Sequence, residues 1–382
     1  MDGWQKLQRD SLARLGILLL LVFYLLVVAA DFFAPANPYT AQANAPLLPP
    51  TPIYWRNTSG DWIGPHVYPT IQGPVDLQTG DRQLIVDRQK PSPIRWFVKD
   101  WTYQFLELRL PLPTRPSLLQ PEIKEVVIFP GFRCDRHLFG TAGSGKLNLL
   151  GTDEQARDQF SRLLFGGRIS LSIGLVGVVI AFPLGLLIGG ISGYLGGWVD
   201  ALIMRLVEVL MTIPSLYLLI ALRFVFSGGA FGTLSNTQLF FVIVLIISLV
   251  NWAGLARVIR GQVLSLKERE FIQAARAMGG TPLYIIIRHI LPQTTTYAII
   301  SATLTIPSFI VAESVLSLIG LGIQPPDPSW GNMLSIATNA SILVLQPWLV
   351  WSPAIPIILA VLAFNIVGDS LRDAFDPRSL KG

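Results

Sequence analysis

Four stretches of this chain hold no Asp, Glu, Lys or Arg at all: 169–199, 224–256, 291–312 and 337–368. A helix needs roughly 20 apolar residues to cross the hydrocarbon core of a bilayer, and each run exceeds that. A water-soluble fold has little reason to place four such runs in one chain. Composition agrees, with 51% hydrophobic and only 14% charged residues, where a soluble domain carries about 25% charged. The chain reads as a polytopic membrane protein.

Six spans are expected, at about 15–33, 169–194, 202–224, 239–255, 292–319 and 348–369. The first is preceded by Lys6, Arg9 and Arg14 and has no small-residue cleavage site close behind it, so it reads as a retained signal anchor. Pro183, Pro214, Pro307 and Pro356 fall inside spans, where a bundle can satisfy the freed carbonyls. Gly185, Gly189, Gly190 and Gly193 permit close helix approach. The N-terminus, the loop after span four (Arg257, Arg260, Lys267, Arg269, Arg276, Arg288) and the C-terminus (Arg372, Arg378, Lys381) are basic. The short loops 227–236 and 321–345 hold no Lys or Arg. By the positive-inside rule both termini are cytoplasmic.

Segment 34–168 is then outside. It carries 15 Lys and Arg, but long segments translocate largely regardless of charge. Its start is Pro-rich (Pro49, Pro50, Pro52) and reads as an extended linker. Strand-like pieces follow at 83–86, 94–98 and 125–129, and 158–164 reads as an amphipathic helix on the outer surface. The domain plan is 1–33 for the N-terminus and first span, 34–150 for the insertion, and 151–382 for the core of five further spans.

The net charge of +5 does not point to nucleic acid, since the basic residues flank spans or sit in the insertion. Cys134 is alone, and His66, His137 and His289 are scattered, so no disulfide, metal site or cofactor is expected. Gly140, Gly145 and Lys146 match the start of a P-loop, but Leu147 stands where a hydroxyl must meet Mg²⁺, and no apolar strand leads into it. A solvated turn explains it. No catalytic residue is expected.

The cytoplasmic loop 268–292 is the informative one. Phe271, Ala274, Ala275 and Met278 fall at i, i+3, i+4 and i+7, one helical face. Gly279-Gly280 ends the helix, and Pro282 starts a second short one through Ile290. The result is an elbow with an exposed apolar face; such a face normally meets a protein partner, the alternative being an interfacial helix lying on lipid. Intramembrane ionisable groups are functional candidates by default: Glu313 in span five, and Glu208 in span three with Arg205 one turn before it. Asn251 and Asn365 are candidates for interhelical hydrogen bonds.

The elbow sequence, Gln273-Ala274-Ala275, then Gly279, then Ile290-Leu291-Pro292, resembles the EAA motif of bacterial ABC importer permeases, with Gln273 in place of Glu and His289 in place of the first Ile. Gly151-Thr152-Asp153-Glu154-Gln155-Ala156-Arg157-Asp158 resembles G-T-D-x-x-G-R-D, with Ala156 for the second Gly. Ala312-Glu313-Ser314, Gly320-Leu321-Gly322 and Pro328-Ser329-Trp330-Gly331, then Asn365, Gly368-Asp369, Leu371-Arg372-Asp373 and Asp376-Pro377-Arg378, resemble further motifs of the C-type dipeptide/oligopeptide/nickel permeases.

The resemblance implies an all-α membrane protein of six transmembrane helices, of the type I ABC importer permease kind; it says little about the mostly β extracytoplasmic insertion between spans one and two, which rests on the strand-like pieces and the charge pattern alone. It implies a bacterial inner-membrane location and no ATPase site of its own. Its implied partners are a second permease, two cytoplasmic ATPase subunits, an external solute-binding protein and the lipid bilayer. Phe271, Gln273, Ala274, Ala275, Met278, Gly279 and Pro292 would couple to the ATPase; Glu313, Glu208, Asn251 and Asn365 are pathway candidates. The implied cargo is a di- or oligopeptide, a nickel chelate or another small solute. The rivals are an ion-driven secondary transporter, which leaves the elbow unexplained, and a membrane-anchored enzyme, which lacks a recognisable active-site motif.

Overall fold

The computed structural model describes residues 3–75, 82–113, 123–227 and 236–375. Asp376-Pro377-Arg378 and most of the 227–236 loop lie outside them. The chain opens with α1 (Gly3–Arg9), the apolar α2 (Ser11–Val28) and α3 (Ala30–Phe33). Asp10 starts α2 by accepting from the Leu12 amide at 3.0 Å, the usual use of Asp at a helix start.

Eight strands follow: β1 (Tyr54–Arg56), β2 (Trp62–Val67), β3 (Thr70–Val75), β4 (Arg82–Val86), β5 (Ser92–Phe105), β6 (Leu108–Pro113), β7 (Ile123–Phe129) and β8 (Phe132–Thr141). They form a four-stranded antiparallel sheet in the order β1-β2-β5-β8 and two hairpins, β3-β4 and β6-β7. The three strand-like pieces of the sequence fall in β4, β5 and β7. β8 leads into the P-loop look-alike, but with Arg133, Asp135, Arg136 and His137 it is not an apolar strand. No helix follows it: the loop tucks inward instead, with the Gly145 amide donating to buried Ser92 Oγ at 2.8 Å.

The remaining helices are α4 (Gln159–Leu195), α5 (Gly197–Thr212), α6 (Ser215–Ser227), α7 (Asn236–Leu266), α8 (Glu270–Ala277), α9 (Pro282–Ile285), α10 (Thr295–Leu318), α11 (Trp330–Leu334), α12 (Ala340–Leu345) and α13 (Pro347–Phe375). Among the described residues, five helical segments are long and apolar enough to span: Ser11–Val28, Gln159–Leu195, Gln238–Leu266, Pro282–Leu318 and Pro347–Phe375.

Two expectations need correction. The third span is not one helix; it breaks between α5 and α6 at Ile213-Pro214. Pro214 lacks an N–H and drives the preceding residue to extended geometry, and Ile213 has φ −78 and ψ 126. Both residues are exposed, so no packing offsets the break, whereas Pro183, Pro307 and Pro356 stay within helices. Nor is 158–164 a separate surface helix. Asp158 caps α4 by accepting from the Ser161 amide at 2.7 Å, and the helix runs on without interruption.

The chain forms two compact units: Met1–Leu20 with Ser172–Glu313 and Leu359–Gly382, and Leu21–Leu171 with Ser314–Ile358. In the first, α4 lies against α7 through glycines four residues apart. A Cβ on Gly185 would meet Leu255 at 2.9 Å, one on Gly189 the Ala256 carbonyl at 2.5 Å, and one on Gly193 the Arg260 carbonyl at 2.8 Å. Small residues let the backbones approach, as the sequence indicated. A polar knot joins α4, α5 and α7: Asp200 accepts from Arg260 through both oxygens and from the Ser192 hydroxyl.

In the second unit, Gly151-Thr152-Asp153 organises a collar. Thr152 and Leu48 exchange bonds, the Thr152 amide to the Leu48 carbonyl at 3.0 Å and the Leu48 amide to Thr152 Oγ1 at 2.8 Å. The chain is therefore tied down at Leu48, just before the Pro-rich segment, whose Pro50 and Pro52 are exposed and lie outside any helix or strand. Buried Asp153 holds the buried guanidiniums of Arg157 at 2.7 Å and Arg162 at 3.3 Å. Trp330 fills the space that Gly166 and Gly167 leave, and its indole donates to the Leu163 carbonyl at 2.9 Å.

Candidate functional site

The elbow is built from short local rules. After α7, Lys267, Glu268 and Arg269 turn the chain, and α8 begins at Glu270. Gly279 ends it with φ +85, the left-handed cap that glycine supplies without penalty. Thr281 then accepts from the Tyr284 amide at 3.4 Å and Pro282 takes the first helical position. The second arm is not the separate short helix expected. It continues from α9 through a π-helical turn (Ile286–Ile290) and a 3-10 turn (Leu291–Thr294) into α10. Pro292 lies at that join, where the missing N–H is absorbed by the change of helical pitch.

The two arms meet tightly. A Cβ on Gly280 would sit 2.8 Å from the Ala275 carbonyl and 3.2 Å from Ile285. Ile272, Ala275, Ile285, Ile286 and Ile290 are buried. Ile286 packs beside Gly190 of α4, and Arg276 lies over the Tyr194 ring at 5.4 Å, a cation–π contact that ties α8 to the end of α4.

The opposite side is open. Phe271, Ala274 and Met278 are exposed, Met278 to 82%, and Leu283, Tyr284 and Ile287 of the second arm are exposed beside them in sequence. Ala275 is corrected from the sequence reading: it belongs to the buried face with Ile272, because 40° of helical rotation past Phe271 already turns it inward. Gln273, where the resembled motif has Glu, is exposed. Leu283, Tyr284 and Ile287 were missed; their i, i+1, i+4 spacing was the available signal.

The pathway candidates go to different partners. Glu313 is fully buried in α10, with Ser314 and Ser317 buried near it in sequence. Glu208 is exposed and pairs with Arg205 at 3.3 Å, as the spacing indicated. Asn251 does not bridge helices: its amide donates to the Ile247 carbonyl of its own helix at 2.8 Å. Asn365 is half-buried in α13. The Asp200–Arg260 pair was missed, because the two are sixty residues apart and each looks like a span-flanking charge.

No group of three or more His, Cys, Asp or Glu among the described residues is placed to hold a metal. His66 and His137 are buried and engaged: His137 meets the Asp31 and Trp101 carbonyls at 2.8 and 3.0 Å, and His66 the Gly64 carbonyl at 2.8 Å.

Residues 182–381 match the family described as binding-protein-dependent transport system inner membrane component, and residues 1–50 match the N-terminal TM domain of oligopeptide transport permease C. The chain is 42% identical over 229 residues to a Brucella suis (biovar 1, strain 1330) protein named as a peptide permease, covering 60% of this chain and 72% of that one. It is 41% identical over 231 residues to the oligopeptide transport system permease protein OppC of Haemophilus influenzae (60% and 70% covered). It is 41% identical over 228 residues to the dipeptide transport system permease protein DppC of Bacillus subtilis (60% and 68%). A chain of the MetNI methionine ABC transporter in an inward-facing conformation is similar at 19% identity and a TM-score of 0.42, over 56% of this chain and 97% of that one. The chain belongs to the binding-protein-dependent transport system inner membrane components. It is a multi-pass membrane protein, a permease subunit of an ATP-binding-cassette importer.

Proposed function

We propose that this chain forms half of the translocation path of a peptide importer and that its elbow is the contact through which a cytoplasmic ATPase drives it. One observation carries the coupling assignment: an apolar face (Phe271, Ala274, Met278, Leu283, Tyr284, Ile287) left exposed on a turn whose other side is fixed by Ile272, Ala275 and Ile285. A rigid turn with an open apolar face transmits a push; a lipid-lying helix needs no such backing. Gly279 sets the turn, Gln273 adds a polar contact, and Pro292 hands the motion to α10.

In this reading α5 and α6 together make a sixth pass, both termini and the elbow are cytoplasmic, and the insertion 34–150 is extracytoplasmic. Leu202, Leu206 and Val209 of α5 are exposed at helical spacing and would meet lipid or a second, related permease. Two ATPase subunits and an external solute-binding protein complete the complex. The names of the relatives support a peptide cargo. Glu313, buried in this conformation, is the candidate to face the path when the helices rearrange, so Glu313→Gln lowers transport more than assembly; an equal loss of both would make it structural.

The test is a mild-detergent pull-down of the tagged full chain, wild type and Gly279→Asp. No atom lies within 4 Å of a Cβ built at Gly279, so the variant strains the turn without a clash. Co-purification of an ATPase and a second permease, with the ATPase lost from the variant at equal membrane level, supports the reading. A variant that keeps the ATPase at the wild-type level, or a wild-type chain that purifies alone in several detergents, refutes the elbow as the coupling contact.

A further inference from the structure

The end of the first span carries a second surface. Within the second compact unit, α2 exposes Leu21, Leu25 and Val28, spaced by four and three residues along one helical stripe. In a membrane protein such a stripe faces acyl chains. Past Ala29, where the helix breaks with φ −93 and ψ 23, the half-buried Phe32 follows in α3. Its ring meets the ring of Phe97 on β5, with centroids 6.3 Å apart. Phe97 thus lies where the end of the first span meets the sheet.

The backbone at this position departs from ordinary strand geometry. Neighbouring residues of a strand normally point to opposite faces. Phe97 instead has φ +56, a left-handed conformation that a bulky residue seldom adopts, and both neighbours are open, Trp96 to 72% and Phe97 to 57%. Trp96 is braced edge-on by Phe139 of β8, its pairing partner, at 6.4 Å. Arg95 beside it is exposed, and so is Lys99, which keeps Asp135 at 3.7 Å. An exposed Trp–Phe pair with a cation alongside, at the end of a span, has the chemistry of the membrane–water boundary, where amphipathic rings sit at headgroup level and basic groups meet phosphates.

We propose that Trp96 and Phe97 insert into the phospholipid headgroup layer at the Phe32 end of the first span and fasten the β insertion to the bilayer surface. The rings take the acyl boundary and Arg95 takes lipid phosphate. The patch adjoins, through Phe32, the end of the stripe that acyl chains already cover, which favours lipid over a soluble partner. The assignment holds whichever side of the membrane the insertion occupies.

The test uses the full chain with its co-purifying subunits, without binding protein, in liposomes of phosphatidylethanolamine and phosphatidylglycerol. A nitroxide is placed on Trp96→Cys in a Cys134→Ser background, and its collisions with oxygen, which concentrates in lipid, and with a water-soluble nickel chelate are compared. The expected result is a several-fold preference for oxygen, like that of a label on Leu25→Cys and opposite to that of one on exposed Lys90→Cys. A label at 96 that prefers the nickel chelate, as at 90, overturns the proposal. One shielded from both also overturns it and assigns the patch to a protein partner. Phe97→Cys gives the same reading should Trp96→Cys fail to fold.

Discussion

The elbow and the Gly151 collar look alike in the sequence: each is a short run of small and charged residues next to a span. Folded, they are opposites. The collar consumes its polar groups. Asp153, Arg157, Asp158 and Arg162 are all buried, and Thr152 exchanges bonds with the chain that follows the first span. The elbow consumes only one side and leaves Phe271, Met278 and Leu283 open. Charge in the collar is there for packing, while plain apolar residues make the open face of the elbow, the proposed contact. Which side chains remain open after folding separates the two, and residue chemistry alone does not.

The difference is sharpest at Asp153. Asp153→Ala leaves Arg157 and Arg162 buried without their shared carboxylate, and breaking a buried ion pair on one side costs about 3–5 kcal/mol. The thermal midpoint in detergent should fall steeply, and any transport loss should track the lost protein. A variant with normal stability would show that the collar does not hold the second unit together.

Met278→Asp with Leu283→Asp should do the reverse. Both side chains are exposed, so the midpoint should barely move, within about 0.5 kcal/mol. ATPase co-purification should drop at least about tenfold, near 1.4 kcal/mol. If stability collapsed instead, the elbow would be another packing element.

Asp158 gives the comparison a pH axis. Burial pushes its carboxyl up to about 6 from 3.8, so the fold prefers the protonated form. The contribution is complete below the unfolded value and is lost as pH rises through 6. Wild type relative to Asp158→Asn should lose roughly 1 kcal/mol between pH 5 and 7.5; parallel pH profiles of the two proteins would rule this out.

The smallest effect is at Ala156. It stands where the resembled motif has Gly and has φ +60, a conformation costing roughly 1 kcal/mol outside glycine. Ala156→Gly should raise stability by about that amount, with no change in ATPase co-purification.

Much of this was legible beforehand. Uncharged runs gave four of the five long apolar helices, because length and hydropathy are local properties. The α4 glycines were correctly taken as close-approach sites, since their spacing is a property of one helix. What was not legible depended on remote contact or on exposure. Asp200 and Arg260 meet from different helices, and nothing local marks Pro214 as a break when Pro183 is not. The motif Gly at position 156 was visible as a departure, but its left-handed backbone was not.

The most direct test of the account is a cross-link from the elbow. A photo-activated thiol reagent is placed on Met278→Cys in a Cys134→Ser background, in membranes that contain the whole transport complex. The account predicts one major adduct, of this chain with an ATPase subunit, formed in far higher yield than from a label on Ser265→Cys. A label at 278 that reacts only with lipid, or no better with the ATPase than the label at 265, would contradict it.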